Sequence, residues 1–234
     1  MRTIKNSTVV GLYVLTMIAS LFAVYFVMPL LKSAGLSQLW YYSIAMMIPF
    51  TLLIVLAGGL REKGLTFTQA FNIKKMSIAD VVCSVAVAIG MFVSTGLLSF
   101  TVPLMQKIPF FQPPSFWVVK VPGGSTMFGE PVAGNFVLLI VLFALTLYGT
   151  FAEEIFGRGY LLTRQIGKYA WVLNGFMWTL FHVYSRWEYL LLLPGCLLLA
   201  YVTQRRNNTS IALLSHLLVQ MIPFIIMIPM VVKG

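Results

Sequence analysis

Long apolar runs dominate the chain, and short polar stretches separate them. An α-helix of about 20 apolar residues spans the hydrocarbon core of a bilayer, whereas barrel strands are short and alternate in polarity. The runs here are long and continuous, so they predict helices. The pattern predicts an all-α fold, a polytopic transmembrane helical bundle of about seven spans (six to eight), at positions 9–31, 39–60, 78–104, 136–163, 170–185, 187–203 and 210–232.

Composition supports a membrane protein over a soluble one. Of the 234 residues, 59% are hydrophobic and 9% are charged. In soluble domains, about 45–50% of residues are apolar and about 25% are charged. We therefore predict one integral domain over 1–234, a multi-pass protein of the cell membrane whose partners include the lipid bilayer. The first run, Val9 to Leu31, is too long for a signal-peptide core, which predicts a retained helix.

The net charge of +10 sits in short connections between apolar runs. This distribution is typical of topology signals and anionic-lipid contacts, so no nucleic-acid partner is predicted. With the N-terminus in the cytoplasm, the inner side holds eleven basic residues and the outer side holds five, which predicts N-in, C-out. The inner residues are Arg2, Lys5, Arg61, Lys63, Lys74, Lys75, Arg158, Arg164, Lys168, Arg205 and Arg206, and the outer ones are Lys32, Lys107, Lys120, Arg186 and Lys233.

Three connections differ from plain loops. Residues 65–73 mix apolar and polar positions, which predicts a short interfacial helix. The outer stretch 106–135 is rich in proline, contains Gly123-Gly124, and is predicted to be a connector anchored by aromatic residues. Segments five and six are short, so either the bilayer is thinned or the turn at Arg186 lies below the outer surface. Cys83 and Cys196 lie in apolar segments and are predicted to pack without a disulfide.

Five ionisable residues interrupt the later spans. Glu153, Glu154 and Arg158 lie in the fourth span, and the only histidines, His182 and His216, lie in the fifth and seventh. Charged groups in hydrocarbon are costly, so their presence on three segments favours a functional site over packing. At about 1.5 Å per residue, Glu153, His182 and His216 lie roughly 9 to 18 Å from the inner helix ends, which predicts a shared site in the inner half of the membrane.

Helical geometry separates the two glutamates. Adjacent residues point about 100° apart, so Glu153 and Glu154 face different neighbours. Glu154 and Arg158 are spaced i,i+4 with the glutamate first, the favourable order for an ion pair. Glu153 has no such counter-charge, and a buried unpaired carboxylate suits a general base. We predict that Glu153 carries the chemistry and that Glu154 and Arg158 form scaffolding.

The remaining polar residues leave two chemistries open. Trp178 and His182 share one helix face, and so do His216 and Gln220. An imidazole or an amide can donate a hydrogen bond to a developing oxyanion. Alternatively, Glu153, His182 and His216 form a three-ligand set for catalytic zinc, with water in the fourth place. The predicted cofactor is therefore either none or a divalent metal such as zinc.

These motifs resemble a known protease family. Glu153-Glu154-x-x-x-Arg158, Trp178-x-x-x-His182 and His216-x-x-x-Gln220 resemble the CPBP (CAAX protease and bacteriocin-processing, or Abi) family of intramembrane proteases, over roughly 148–224 within a motif-bearing core of about 136–232. The resemblance implies that Glu153 activates water with the help of His182, while His216 and Gln220 bind the oxyanion. Trp178 replaces the usual Phe, and Gln220 extends the usual Asn or Asp by one methylene.

The resemblance implies an endopeptidase that acts on a membrane-associated peptide or protein precursor. Candidate substrates are a bacteriocin leader, a pheromone precursor, another short membrane peptide, or a prenylated CAAX tail if the host makes one. Other protease classes fit poorly, because there is no His-Glu-x-x-His helix and Asp80 is the only aspartate. A non-catalytic bacteriocin-immunity or scaffold protein and a proton-relay transporter remain alternatives, although a transporter would favour inverted repeats.

Overall fold

A computed structural model describes residues 2–117 and 125–233 of the chain. Within them, six helical stretches are long and apolar enough to cross a membrane, which confirms the predicted helical bundle. Four of these stretches are continuous, α1 (Asn6–Ser33), α2 (Gln38–Gly59), α4 (Ile78–Leu98) and α6 (Phe136–Leu162), and α1 is π-helical over Ala23–Val27. The fifth, Ala170–Arg206, contains α7 and α8, and the last is α9 (Thr209–Lys233).

The fifth stretch is a helical hairpin. It consists of α7 (Ala170–Phe181), a 3-10 turn (His182–Glu188) in which Ser185 leaves helical geometry, and α8 (Tyr189–Arg206). The two legs are antiparallel, since the Trp171 N–H donates to Gln204 Oε1 at 2.8 Å near their common end. A Cβ on Gly175 would lie 2.9 Å from Leu197 Cα, so only glycine permits this close packing.

Leg α7 is too short to cross a bilayer by itself. Its 12 residues extend about 18 Å at 1.5 Å per residue, against a hydrocarbon core of about 30 Å. The turn after it lies beneath the outer connection, where the Trp117 and Trp187 rings are 5.7 Å apart. The thinned bilayer and the turn below the outer surface both stay predictions.

Contacts between connections show which helix ends share a face. On one face, which we call the N-terminal face, the contacting pairs are Ile4 with Arg164, Asn72 with Asn207, and Asp80 with Arg206. On the opposite face, the contacting pairs are Tyr41 with Phe116, and Gly134 with Val231. The described chain therefore begins and ends on opposite faces, as the seven predicted segments require when the hairpin legs α7 and α8 are counted separately. The assignment of the N-terminal face to the cytoplasm stays a prediction.

The short elements refine the predicted connections. The interfacial helix is only α3 (Phe67–Ala70), which begins at a capping box formed by Thr66 and Gln69. The predicted segment 78–104 is divided, because α4 ends at Leu98 and α5 (Thr101–Met105) follows as a separate short helix. The outer connection contains a 3-10 turn (Pro109–Phe111) and an antiparallel pair of two-residue strands, β1 (Thr126–Met127) and β2 (Glu130–Pro131). Lys120, Gly123 and Gly124 of that connection lie outside the described residues. Both cysteines are free thiols.

Helix α6 changes its winding directly after the two glutamates. Residues Phe136–Glu154 are α-helical, whereas Ile155–Leu162 are π-helical and fully buried. Two glycines in the π-helical part allow neighbours to approach closely. A Cβ on Gly157 would lie 3.1 Å from the Tyr13 hydroxyl, and one on Gly159 would lie 3.1 Å from the Phe71 backbone oxygen. Irregular winding of this kind is frequent at functional sites, and α-helical periodicity did not predict it.

Candidate active site

The two adjacent glutamates leave α6 in different directions. Glu153 lines a cavity of about 580 Å³, whereas Glu154 is fully buried away from it. Glu154 Oε1 lies 3.5 Å from Arg158 Nη1, so the ion pair predicted from the i,i+4 spacing is present. The Arg158 guanidinium carbon lies 3.4 Å from the centre of a Trp178 ring, a cation–π contact. Arg158 therefore holds Glu154 on one side and packs on α7 on the other.

Glu153 has two imidazoles as neighbours. Its Oε1 lies 4.0 Å from His182 Nε2, and its Oε2 lies 3.9 Å from His216 Nδ1. Both distances are too long for direct hydrogen bonds. No Lys or Arg among the described residues forms an ion pair with Glu153. The Glu153 carboxylate thus lies at the cavity wall with no cationic partner.

His182 lies where α7 ends and the 3-10 turn begins. Its Nδ1 lies 2.9 Å from the Trp178 carbonyl oxygen, which can only accept a hydrogen bond. The Nδ1 atom therefore carries the proton, and in the neutral ring Nε2 has a free lone pair. That lone pair lies on the side of Glu153, so Trp178 orients His182 through its backbone.

Both ring nitrogens of His216 are engaged. The Nδ1 atom lies 2.9 Å from Glu154 Oε1 and donates to this carboxylate, so in the neutral ring Nε2 accepts. The amide nitrogen of Gln220 lies 3.2 Å from Nε2 and donates to it. Gln220 lines the cavity and His216 does not. The structure therefore joins Glu154, His216 and Gln220 in one chain of hydrogen bonds that reaches the cavity at Gln220.

The cavity extends from Glu153 towards the face opposite the N-terminal face. Its described lining comes from α2, α6, α9, the hairpin and the outer connection, and includes Tyr42, Phe50, Trp117, Phe128 and Pro223. None of the connections on the N-terminal face contributes to that lining. Its charged side chains are Glu153 and Glu188, and the described lining contains no Lys or Arg. The space is therefore largely apolar and is acidic where it carries charge.

Two lining residues that adjoin Glu153 and His182 were not predicted as site residues. Thr150 is buried one turn before Glu153 on α6, and its Oγ1 has no hydrogen-bond partner among the described residues. Its i−3 spacing from Glu153 is the signal that sequence inspection could have used. Tyr184 lies in the 3-10 turn, with its ring 5.5 Å from that of His182. Nothing in the local sequence pattern points to Tyr184.

The three metal ligands expected from the sequence differ from the three candidate ligands that the structure brings together. In the described chain, Glu153, Glu154 and His216 have ligand atoms that all lie within 4.8 Å of one another, and His182 is not in this set. Glu154 is already paired with Arg158, and both His216 nitrogens are hydrogen-bonded. Glu153, Nε2 of His182 and the second carboxylate oxygen of Glu154, Oε2, keep free ligand atoms in the described chain. The predicted cofactor, either none or a divalent metal such as zinc, stays a prediction.

The fold and the site define a multi-pass membrane protein with glutamate and histidine side chains at the end of an intramembrane cavity. Residues 135–222 match the family model described as Type II CAAX prenyl endopeptidase Rce1-like. This match confirms the resemblance inferred from the motifs, and it includes Glu153, Glu154, Arg158, Trp178, His182, His216 and Gln220. It supports protease activity at the level of the family. Searches of curated proteins and of solved structures find no match to the chain.

Proposed function

We propose that this protein is an intramembrane endopeptidase that hydrolyses a peptide bond of a membrane-associated peptide or protein precursor. The observation that carries the proposal is the contrast between two adjacent carboxylates. Glu154 is neutralised by Arg158, whereas Glu153 faces the cavity beside the free nitrogen of His182. An unpaired carboxylate beside a neutral imidazole is a suitable base for activating water.

The 4.0 Å separation of Glu153 Oε1 and His182 Nε2 suits a shared water molecule. If a water oxygen lies about 2.8 Å from both atoms, the angle between them at the water oxygen is roughly 90°. Each of the two atoms can then accept a hydrogen bond from one O–H group of the water. The oxygen lone pairs would then face the cavity. In the proposed reaction, the water attacks the scissile carbonyl while one proton passes to Glu153. Glu153 then donates that proton to the leaving amine.

Gln220 is the proposed oxyanion donor. Its amide has two N–H bonds, of which one points to His216 Nε2 and the other is available to the cavity. An oriented donor of this kind stabilises the negative charge that develops on the carbonyl oxygen. We assign His216 a positioning role, because its hydrogen bonds to Glu154 and Gln220 leave it no free N–H. No step in this proposal needs a metal.

The charge of the cavity affects which substrates it can bind. A free C-terminal carboxylate, which a CAAX tail carries, would meet two carboxylates and no cation in the described lining. Like charges repel strongly in a site with low-dielectric walls. We therefore favour cleavage at an internal bond of a membrane peptide, such as a leader or a precursor, which enters from the face opposite the N-terminal face.

The test compares new peptide termini in membranes that contain the wild-type chain or single variants. Mass spectrometry of these termini should show products with wild type and with Glu130→Gln, a control for the same chemical change outside the cavity. Glu153→Gln should remove them while folded protein is retained. Persistence of the same products with Glu153→Gln overturns the mechanism. Absence of any new product with wild type would favour the non-catalytic alternative.

A further inference from the structure

A second cavity, of about 570 Å³, lies at the N-terminal face. Four cationic side chains and one carboxylate line it, Arg2, Arg61, Lys63, Arg164 and Glu62. The rest of its lining includes Ile4, Leu60 and Tyr160. The cavity therefore combines an excess of positive charge with an apolar wall.

Arg164 is built into the wall of this cavity. The residue is 3% exposed, and its Nη1 donates to the carbonyl oxygens of Ala70 at 3.1 Å and Tyr160 at 3.2 Å. Its guanidinium also stacks 4.3 Å from the Tyr160 ring centre. The Nη2 atom has no hydrogen-bond partner in the described part of the chain. The result is a fixed guanidinium with unused donor capacity.

The single carboxylate does not balance the charge. Glu62 Oε1 lies 3.5 Å from Arg164 Nε and also accepts the Arg2 backbone N–H at 2.8 Å. Burial lowers the pKa of the Arg164 guanidinium from its ordinary value, although arginine stays protonated. A buried charge is costly unless it is paired, so this cluster favours a further anion.

We propose that this cavity binds a phosphate group, carried by an anionic phospholipid or free in solution. Guanidinium groups match phosphate oxygens in geometry and charge, and Arg2, Arg61 and Arg164 line the cavity. The apolar wall of Ile4, Leu60 and Tyr160 suits the glycerol and upper acyl carbons of a lipid. The bound phosphate would reinforce the contact between the N-terminal segment and the end of α6, where the Ile4 N–H donates to the Arg164 carbonyl at 3.0 Å.

The experiment uses the purified full-length chain in a neutral detergent. Phosphatidylglycerol, phosphatidylcholine or inorganic phosphate is titrated while thermal unfolding and bound lipid are measured, the latter by native mass spectrometry. The test variant is the double substitution Arg61→Ala/Lys63→Ala. Both residues are exposed, so their replacement leaves the buried contacts of Arg164 intact. The control is Lys168→Ala/Arg205→Ala, which removes two exposed cations that do not line the cavity.

Phosphatidylglycerol should raise the unfolding temperature of wild type and of the control, and phosphatidylcholine should not. The test variant should bind phosphatidylglycerol about tenfold more weakly, since each basic residue near a membrane surface contributes measurably to anionic-lipid binding. Equal stabilisation by inorganic phosphate alone would identify free phosphate as the source. Equal weakening in test and control variants would show a diffuse surface attraction and overturn the site. No stabilisation of wild type by either probe would overturn it as well.

Discussion

Arg158→Ala isolates the ion pair that lies behind Glu153, the proposed catalytic carboxylate. Both partners are fully buried and 3.5 Å apart, and Arg158 also packs on Trp178. Removing one partner of a buried pair costs about 3–5 kcal/mol, because the other charge stays behind uncompensated. Glu154 keeps its hydrogen bond from His216 at 2.9 Å, so we expect the lower end, about 3 kcal/mol. For a chain of this size, that corresponds to a loss of roughly 6–12 °C in unfolding temperature.

The assay is thermal unfolding in detergent, combined with a double-mutant cycle. Glu154→Gln/Arg158→Ala should recover part of the lost stability, since it removes the stranded charge while Gln can still accept from His216. The control is Arg205→Ala, an exposed change that should fall within about 0.5 kcal/mol of wild type. The reasoning fails if Arg158→Ala unfolds at the wild-type temperature but is inactive. Arg158 would then belong to the chemistry.

Three further predictions concern the oxyanion donor, the metal and the hairpin. Gln220→Ala should lower kcat by about 10²–10³-fold with little change in substrate affinity, measured by steady-state kinetics; a pure loss of affinity would argue against an oxyanion role. Elemental analysis of active, purified protein should show no stoichiometric transition metal, and a metal whose chelation abolishes activity and whose return restores it would make the histidines ligands. Gly175→Val should destabilise the fold by about 1–3 kcal/mol because its side chain meets the Leu197 backbone. Gly96→Val, where a Cβ would have no neighbour within 4 Å, is the control in the same unfolding assay, and equal effects would refute the packing argument.

Relations within one helix were predictable from the sequence. The apolar runs placed the spans, since spanning length and hydrophobicity are local properties. The i,i+4 spacing of Glu154 and Arg158 placed the two side chains on one face, and the ion pair forms there. The same periodicity predicted that Glu153 points elsewhere. These results depend only on the regular geometry of a helix.

Relations between helices needed the tertiary structure. Periodicity sets the direction of a side chain within α6 or α9, but not the rotation and height of one helix against the other. These depend on packing by residues far away in the sequence, such as Gly175 against the α8 backbone. The structure therefore decided that His216 donates to Glu154 and that Gln220, not His216, reaches the cavity. The π-helical winding of α6 from Ile155 was also visible only in the structure. This part of the helix packs closely against Tyr13 and Phe71, and no local sequence pattern predicts such contacts.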